Sequence, residues 1–247
     1  MQWVITNDCP WDEYTCGIAA EGGHLDIIQW ASINHCLIHE TTWVAAAKGG
    51  HLDIVQWAHS NNLVLDKEIF DAAAKKGHLH ILQWVHQIGL PFDEEKTMYS
   101  AAENGHLHIV KWLRSIHCPW NTNVCYIAAL YCFSHILLWA RANGCPWDET
   151  VCDGAANSGD LRVLQFVRAV GCPWDAETCV SAAWIGNLTM LKWAYEQEGC
   201  SINVNRVLSA ARYREHAHIL KWMKQFNFDD VPDEAYIIPD DNSMSDD

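Results

Sequence analysis

Residues 46–57 read AAKGGHLDIVQW, and close variants of these words return along the chain. EGGHLDIIQW ends at Trp30, KGGHLDIVQW at Trp57, KKGHLHILQW at Trp84 and ENGHLHIVKW at Trp112, and the closing aromatic recurs at Trp139, Phe166, Trp193 and Trp222. The intervals are 27, 27, 28, 27, 27, 27 and 29 residues. Twin alanines stand ten positions ahead, ending at Ala20, Ala47, Ala74, Ala102, Ala129, Ala156 and Ala183, with Ala210 and Ala211 displaced by one inserted residue. A fixed period of this size is the signature of a repeat array, in which each unit leans on its neighbours instead of folding around one common centre.

A third series marks where each unit opens. It reads CPWD at Cys9, Cys145 and Cys172 and CPWN at Cys118, with CLIH, LVLD, LPFD and CSIN in the same slot elsewhere. Eight units follow, over 9–35, 36–62, 63–89, 90–117, 118–144, 145–171, 172–199 and 200–227. Residues 1–8, with Trp3 in the place of a closing aromatic, read as the end of a partial preceding unit. The first helix of that unit is expected to be missing, which would leave that end of the stack incompletely capped.

Within a unit the punctuation predicts two short helices. Asp12, Asp66, Asn121, Asp148, Asp175 and Asn203 occupy an N-cap slot, where a side-chain oxygen can accept from a free backbone N–H. The glycine of Gly23, Gly50, Gly77, Gly105, Gly159 and Gly186 suits a left-handed residue closing the first helix. The second helix then carries an apolar stripe, Leu25, Ile27, Ile28 and Trp30 in the first copy, that the next unit must cover. Paired alanines allow close approach of successive units, and a bulkier side chain would push them apart. The expected fold is an all-α solenoid of stacked antiparallel helix pairs.

Half of the 247 residues are apolar and 19% are charged, which is ample material for a buried interior. The net charge is −15, from 31 acidic and 16 basic residues, and such a balance repels phosphate backbones and anionic lipid surfaces. The reading is therefore no nucleic acid and no membrane partner. Eight of the acidic residues fall after Phe228, so residues 228–247 are expected to be an acidic disordered tail. MQWVITNDCPW lacks a basic segment followed by an apolar run, and no stretch is long and apolar enough to span a bilayer. An intracellular, cytoplasmic protein with reduced cysteines is expected.

The order Thr-x-x-x-x-Ala-Ala-x-x-Gly-His followed by an apolar helix resembles the ankyrin repeat. The carrying residues are Thr15, Ala19, Ala20, Gly23, His24, Ile27 and Ile28 in the first unit, and Thr42, Ala46, Ala47, Gly50, His51, Ile54 and Val55 in the second. The resemblance extends over roughly residues 9 to 227. The period is shorter than the family's, which is about 33 residues, and Thr-Cys stands in place of the TPLH block. The missing residues fall in the connection around CPWD, so short turns are expected in place of β-hairpin fingers. This Trp-rich variety is similar to arrays of giant DNA viruses of amoebae and of protists, which would place it in a host cytoplasm. The resemblance implies protein recognition without catalysis, with a recruiting or adaptor role as one form of it.

Candidates for chemistry reduce to packing. The His of GHL recurs at His24, His51, His78, His106 and His216, and the pairs His78/His80, His106/His108 and His216/His218 are two apart on a helix, pointing in different directions. Four cysteine pairs share a seven-residue spacing: Cys9/Cys16, Cys118/Cys125, Cys145/Cys152 and Cys172/Cys179. Matching slots hold Leu63, Phe70, Leu90 and Met98, so the thiols read as small hydrophobes. Twelve of the 14 tryptophans, in two repeated slots, read as core. No catalytic residue, metal or cofactor is expected.

Trp184 follows its twin alanines in a slot that elsewhere holds Glu21, Lys48, Lys75, Glu103 and Asn157. In the family this slot faces the concave groove. With Tyr126, Ile127, Leu130, Tyr131, Ile185 and Tyr213 it would form an apolar, aromatic protein-binding patch on units five to eight. The expected function is a protein-interaction scaffold; the alternative is an assembly protein whose copies pair through the uncapped N-terminal end.

Overall fold

A computed structural model describes residues 13–36 and 38–224. Among the described residues there are helices, turns and connections but no strand. The chain divides into two compact units, residues 1–146 and 147–247. The first holds α1 (Glu13–Glu21), α2 (Leu25–Ile33), α3 (Thr41–Gly49), α4 (Leu52–Ser60), α5 (Glu68–Lys76), α6 (Leu79–Gln87), α7 (Glu94–Glu103), α8 (Leu107–Ser115), α9 (Thr122–Leu130) and α10 (Ser134–Ala142). The second holds α11 (Thr150–Asn157), α12 (Leu161–Ala169), α13 (Ala176–Trp184), α14 (Leu188–Lys192), α15 (Val204–Tyr213) and α16 (Ala217–Met223). Partial unit 1–8, Cys9, Asp12 and the acidic tail lie outside the described residues.

The helix starts are capped where the sequence places them. Asp66 Oδ1 accepts from Glu68 N at 2.6 Å, Asn121 from Asn123 N at 2.9 Å, Asp148 from Thr150 N at 3.1 Å, Asp175 from Glu177 N at 2.8 Å and Asn203 from Arg206 N at 3.2 Å. Each first helix stops at a left-handed residue. Gly50 has φ +87°, and in α9 and α15, where glycine is missing, Cys132 and Glu215 adopt φ +62° and +57°.

In each unit successive first helices pack on one another, α1 on α3 on α5 on α7 on α9, and α11 on α13 on α15. The twin alanines are what bring these backbones together: Ala46, Ala47, Ala73, Ala74, Ala128, Ala129, Ala182 and Ala183 have no exposed surface. Second helices cover this layer with Ile54 and Val55, Ile81 and Leu82, Ile109 and Val110, and Met190 and Leu191, all fully buried. Connections between pairs are irregular, in line with the expected loss of hairpin fingers.

Two features depart from the expected core. Most tryptophans are half-buried, and Trp43 and Trp222 are the fully buried ones among the described residues. Apart from Trp184, which ends the first helix α13, the others lie on the second helices and the connections between pairs. Arg114 and Arg168 cover the rings of Trp120 and Trp174 at 4.4 and 4.1 Å, and Trp120/Trp139 and Trp174/Trp193 meet edge to face at 5.6 and 5.9 Å. The other departure is a π-turn segment, Trp193–Gln197, that continues α14. Elsewhere the cysteine opening a unit bonds to the carbonyl five residues back, as Cys172 N does to Val167 O; Cys200 N reaches six back, to Ala194 O. One of the two extra residues of the 29-residue interval is absorbed there as a single bulge.

Candidate functional site

The recurrent histidines bind the array together. His51 Nε2 lies 3.1 Å from Glu21 O, His78 Nε2 3.1 Å from Lys48 O, His106 Nε2 3.1 Å from Lys75 O and His216 Nε2 3.0 Å from Trp184 O. Each ring packs on the left-handed glycine of the preceding pair, with Phe133 doing the same on Gly105. A second row repeats the device: His80 to Gly50 O at 3.0 Å, His108 to Gly77 O at 3.0 Å, His135 to Gly105 O at 3.1 Å and His218 to Gly186 O at 2.8 Å. An Nε2–H spent on a carbonyl is not a metal ligand, and no cluster of three or more His, Cys, Asp or Glu suited to a metal occurs among the described residues.

In the first unit some residues at the ends of the first helices meet their counterparts one pair on. Lys48 Nζ lies 2.9 Å from Glu21 Oε1, and Tyr131 OH donates to Glu103 Oε1 at 2.9 Å. In the second unit two of these ends are aromatic. Trp184, 42% exposed, and Tyr213, 62% exposed, stack with centroids 5.3 Å apart and planes 13° from parallel. The Arg214 guanidinium stands 5.3 Å from the Trp184 centroid.

Of the seven site residues read from the sequence, Tyr126, Ile127, Leu130 and Tyr131 belong to the first unit, and Trp184, Ile185 and Tyr213 to the second. The former three are half-buried, leaving Tyr131 as the exposed ring of that set. Ile185 is half-buried beside Gly159 and lines an open groove of about 550 Å³ with Asn157, Asn187, Thr189 and His218. Sequence reading missed Arg214 and the groove. Arg214 had a legible signal, since it adjoins Tyr213 in an Arg-Tyr-Arg triplet.

Charge differs between sites in a way the total conceals. From Leu188 to Lys224 there are six cations, Lys192, Arg206, Arg212, Arg214, Lys221 and Lys224, against three carboxylates, Glu196, Glu198 and Glu215. Arg206 pairs with Glu177. Two half-buried carboxylates, Asp71 and Asp153, occupy one repeat slot with opposite outcomes. At Asp71 burial works upward, but hydrogen bonds from Ser100 and Lys75 and the charges of Lys75 and Lys96 more than offset it, leaving the pKa below its ordinary value. Asp153 has no such cations; burial pushes it up to about 6, only partly opposed by the hydrogen bond from Thr178 Oγ1 at 3.0 Å.

No family model and no curated protein matches the chain. Similar solved structures are of the pentatricopeptide repeat protein PPR10. One, in complex with an 18-nucleotide psaJ RNA element, is 10% identical with a TM-score of 0.45, covering 91% of this chain and 40% of that one. Another, PPR10 from maize, is 14% identical with a TM-score of 0.39, covering 94% of this chain and 42% of that one. The chain thus spans about two fifths of the length of these structures.

These comparisons correct the assignment to the ankyrin family and the viral setting attached to it; what stands is an all-α array of stacked helix pairs. The misleading signals have a physical origin. Twin alanines, a left-handed glycine and a ring bonded to the preceding carbonyl are what close stacking of helix pairs requires, so they report the packing and not the family. The scaffold function with a protein partner, the assembly alternative and the exclusion of nucleic acid are corrected with it. That exclusion summed charge over the whole chain, whereas eight of the acidic residues lie beyond the described segment and the stretch from Leu188 to Lys224 carries more cations than carboxylates. No helix among the described residues is long and apolar enough to cross a membrane.

Proposed function

We propose that the second unit binds single-stranded RNA, with bases stacking on the platform of Trp184 and Tyr213 and the backbone drawn by Arg214 and neighbouring cations. The observation that carries this reading is the exposed, near-parallel Trp184–Tyr213 stack with a guanidinium beside it. Exposed aromatics offer a π-face that every base can use, and cations along the same ridge supply the phosphate term. Rings stacked on each other and fixed to the ends of two packed helices, α13 and α15, are ordered before the ligand arrives. Little rotamer freedom is then lost on binding.

The reading is tested by fluorescence anisotropy of a short labelled single-stranded RNA titrated with the full chain. Salt-sensitive binding is expected, and a Trp184→Ala, Tyr213→Ala double variant should weaken it. Each lost stacking contact is worth about 1–3 kcal/mol, so the loss should be at least about tenfold. Arg214→Ala should also flatten the salt dependence. Equal affinity of wild type and double variant, or a preference for duplex over single strand, would sink the reading.

A further inference from the structure

An aromatic ring lies over the left-handed glycine of the preceding pair at most joints: His51 on Gly23, His78 on Gly50, His106 on Gly77, Phe133 on Gly105 and His216 on Gly186. Gly159, φ +78°, is the member of this series with no ring on it, and a Cβ there would meet only Ile185 Cδ1, at 3.6 Å. The cause is in the sequence, where Asn187 stands in the slot of the ring and Thr189 in the slot of the second-row histidine. Asn187 spends its amide within the fold, accepting from Met190 N at 3.0 Å and donating to Gly159 O at 3.0 Å, the acceptor that a second-row histidine takes elsewhere. The first-row acceptor is left over. At the histidine joints a ring nitrogen reaches the carbonyl two residues before the glycine, and at this joint that carbonyl belongs to Asn157. Neither that carbonyl nor the Asn157 side-chain amide has a hydrogen-bond partner among the described residues. Asn157 and Gly159 both line the groove of about 550 Å³.

We infer that this groove seats one nucleobase, laid on Gly159 where the histidine joints carry an imidazole, and that it selects a base bearing an exocyclic amine. The inference rests on the RNA reading for the source of its ligand and adds base selection to it. A flat ring over a left-handed glycine is the shape the other joints already accommodate, and the volume lies in the range of small-ligand sites. The unused groups decide which ring fits. A main-chain carbonyl only accepts, whereas the Asn157 amide offers one accepting oxygen and two N–H donors. An exocyclic amine carries two N–H bonds and serves the carbonyl and the amide oxygen together. The amide N–H then turns to the unprotonated ring nitrogen beside the amine, the pairing that asparagine makes with adenine. Adenine and cytosine present that arrangement on edges that single-stranded RNA leaves open. Uracil has one N–H there, so one of the two acceptors gains nothing. Ile185 and Gly186 line the groove and directly follow Trp184, so a base seated on Gly159 neighbours one stacked on the platform.

The test has two arms, both on the full chain. In the first, fluorescence anisotropy compares short oligouridylates that are uniform or carry one internal adenosine or cytidine. The wild type is expected to prefer the substituted strands by about fivefold, the worth of one hydrogen bond. Asn187→His rebuilds the ring of the histidine joints and should erase the preference while keeping the affinity for the uniform strand. Asn157→Ala should erase it without filling the groove. In the second arm, NMR follows the amide shifts of Gly159 and Gly186 during titration with adenosine, cytidine or uridine 5′-monophosphate; the first two should move them and the third should not. Where RNA binds, equal affinity for all strands, or a preference that survives in Asn187→His, overturns the inference. Where RNA does not bind, the platform reading fails by itself, and glycine shifts unmoved by adenosine monophosphate overturn the groove as well.

Discussion

At the residue scale, the contrast between Asp71 and Asp153 shows how one repeated slot acquires opposite electrostatics from its neighbours. Asp153 carries a raised pKa with Thr178 as its hydrogen-bond donor and with Asp175, Glu149 and Asp148 adding repulsion. An amide keeps the acceptor and removes the charge. Asp153→Asn is therefore expected to stabilise the protein at pH 7 by about 1 kcal/mol, taking the roughly 1.4 kcal/mol per pKa unit and discounting for partial exposure. The gain should vanish below about pH 4, where the native carboxyl is protonated in both states. Urea midpoints of the two proteins at both pH values check this. Trp184 and Tyr213 were visible in the sequence because they break a charged slot. Their stacking on each other was not, since it depends on one inserted residue in α15 carrying Tyr213 into register with the neighbouring pair.

At the element scale, the helix pairs were legible almost to the residue, because eight copies of one pattern average out the ambiguity of any single copy. Among the described residues, capping side chains such as Asn121, Asp175 and Asn203, the left-handed glycines and the twin alanines stand where the sequence puts them. What repetition alone cannot reveal is which partner lies thirty residues away. His78 stands at the start of its helix, yet its side chain makes no cap bond there and reaches back to Lys48 O. The half-burial of the tryptophans was hidden for a similar reason: periodicity places a ring on the inner side of a helix without saying how far the next pair covers it. Gly50 and Gly144 separate the two costs of replacing a left-handed glycine. At Gly144, φ +78°, a Cβ meets nothing within 4 Å; at Gly50, φ +87°, it would stand 2.7 Å from His78 Cε1. Gly144→Ala is expected to cost the backbone term alone, about 1–2 kcal/mol. Gly50→Ala should cost about 1 kcal/mol more, the worth of a displaced ring and its hydrogen bond. Equal shifts in denaturation midpoint would show that the ring stacking adds nothing.

At the scale of the whole molecule, the two compact units answer acid in opposite directions. In the first, His78 has a pKa below its ordinary 6.5, through burial first, opposed by its bond to Lys48 O and reinforced by repulsion from His80, His106 and His51. A depressed histidine favours its neutral form in the fold, so its contribution is present above pH 6.5 and is lost as the pH falls through the lower folded value. In the second, Asp153 is raised from 3.8 to about 6. The fold there binds a proton that the unfolded chain does not, so stability rises as the pH falls from about 6 toward 3.8. Asp71, depressed in the first unit, adds its own loss only below 3.8. Between pH 7 and 4.5 the first unit should therefore lose protection while the second gains from Asp153. Hydrogen exchange read by mass spectrometry, with rates corrected for the intrinsic effect of pH, resolves the two by peptide. Opening free energies around α3 to α7 are expected to fall and those around α11 to α13 to rise. Asp153→Asn should abolish the rise and leave the fall in place, and a parallel decline in both units would show that these two groups do not govern the response.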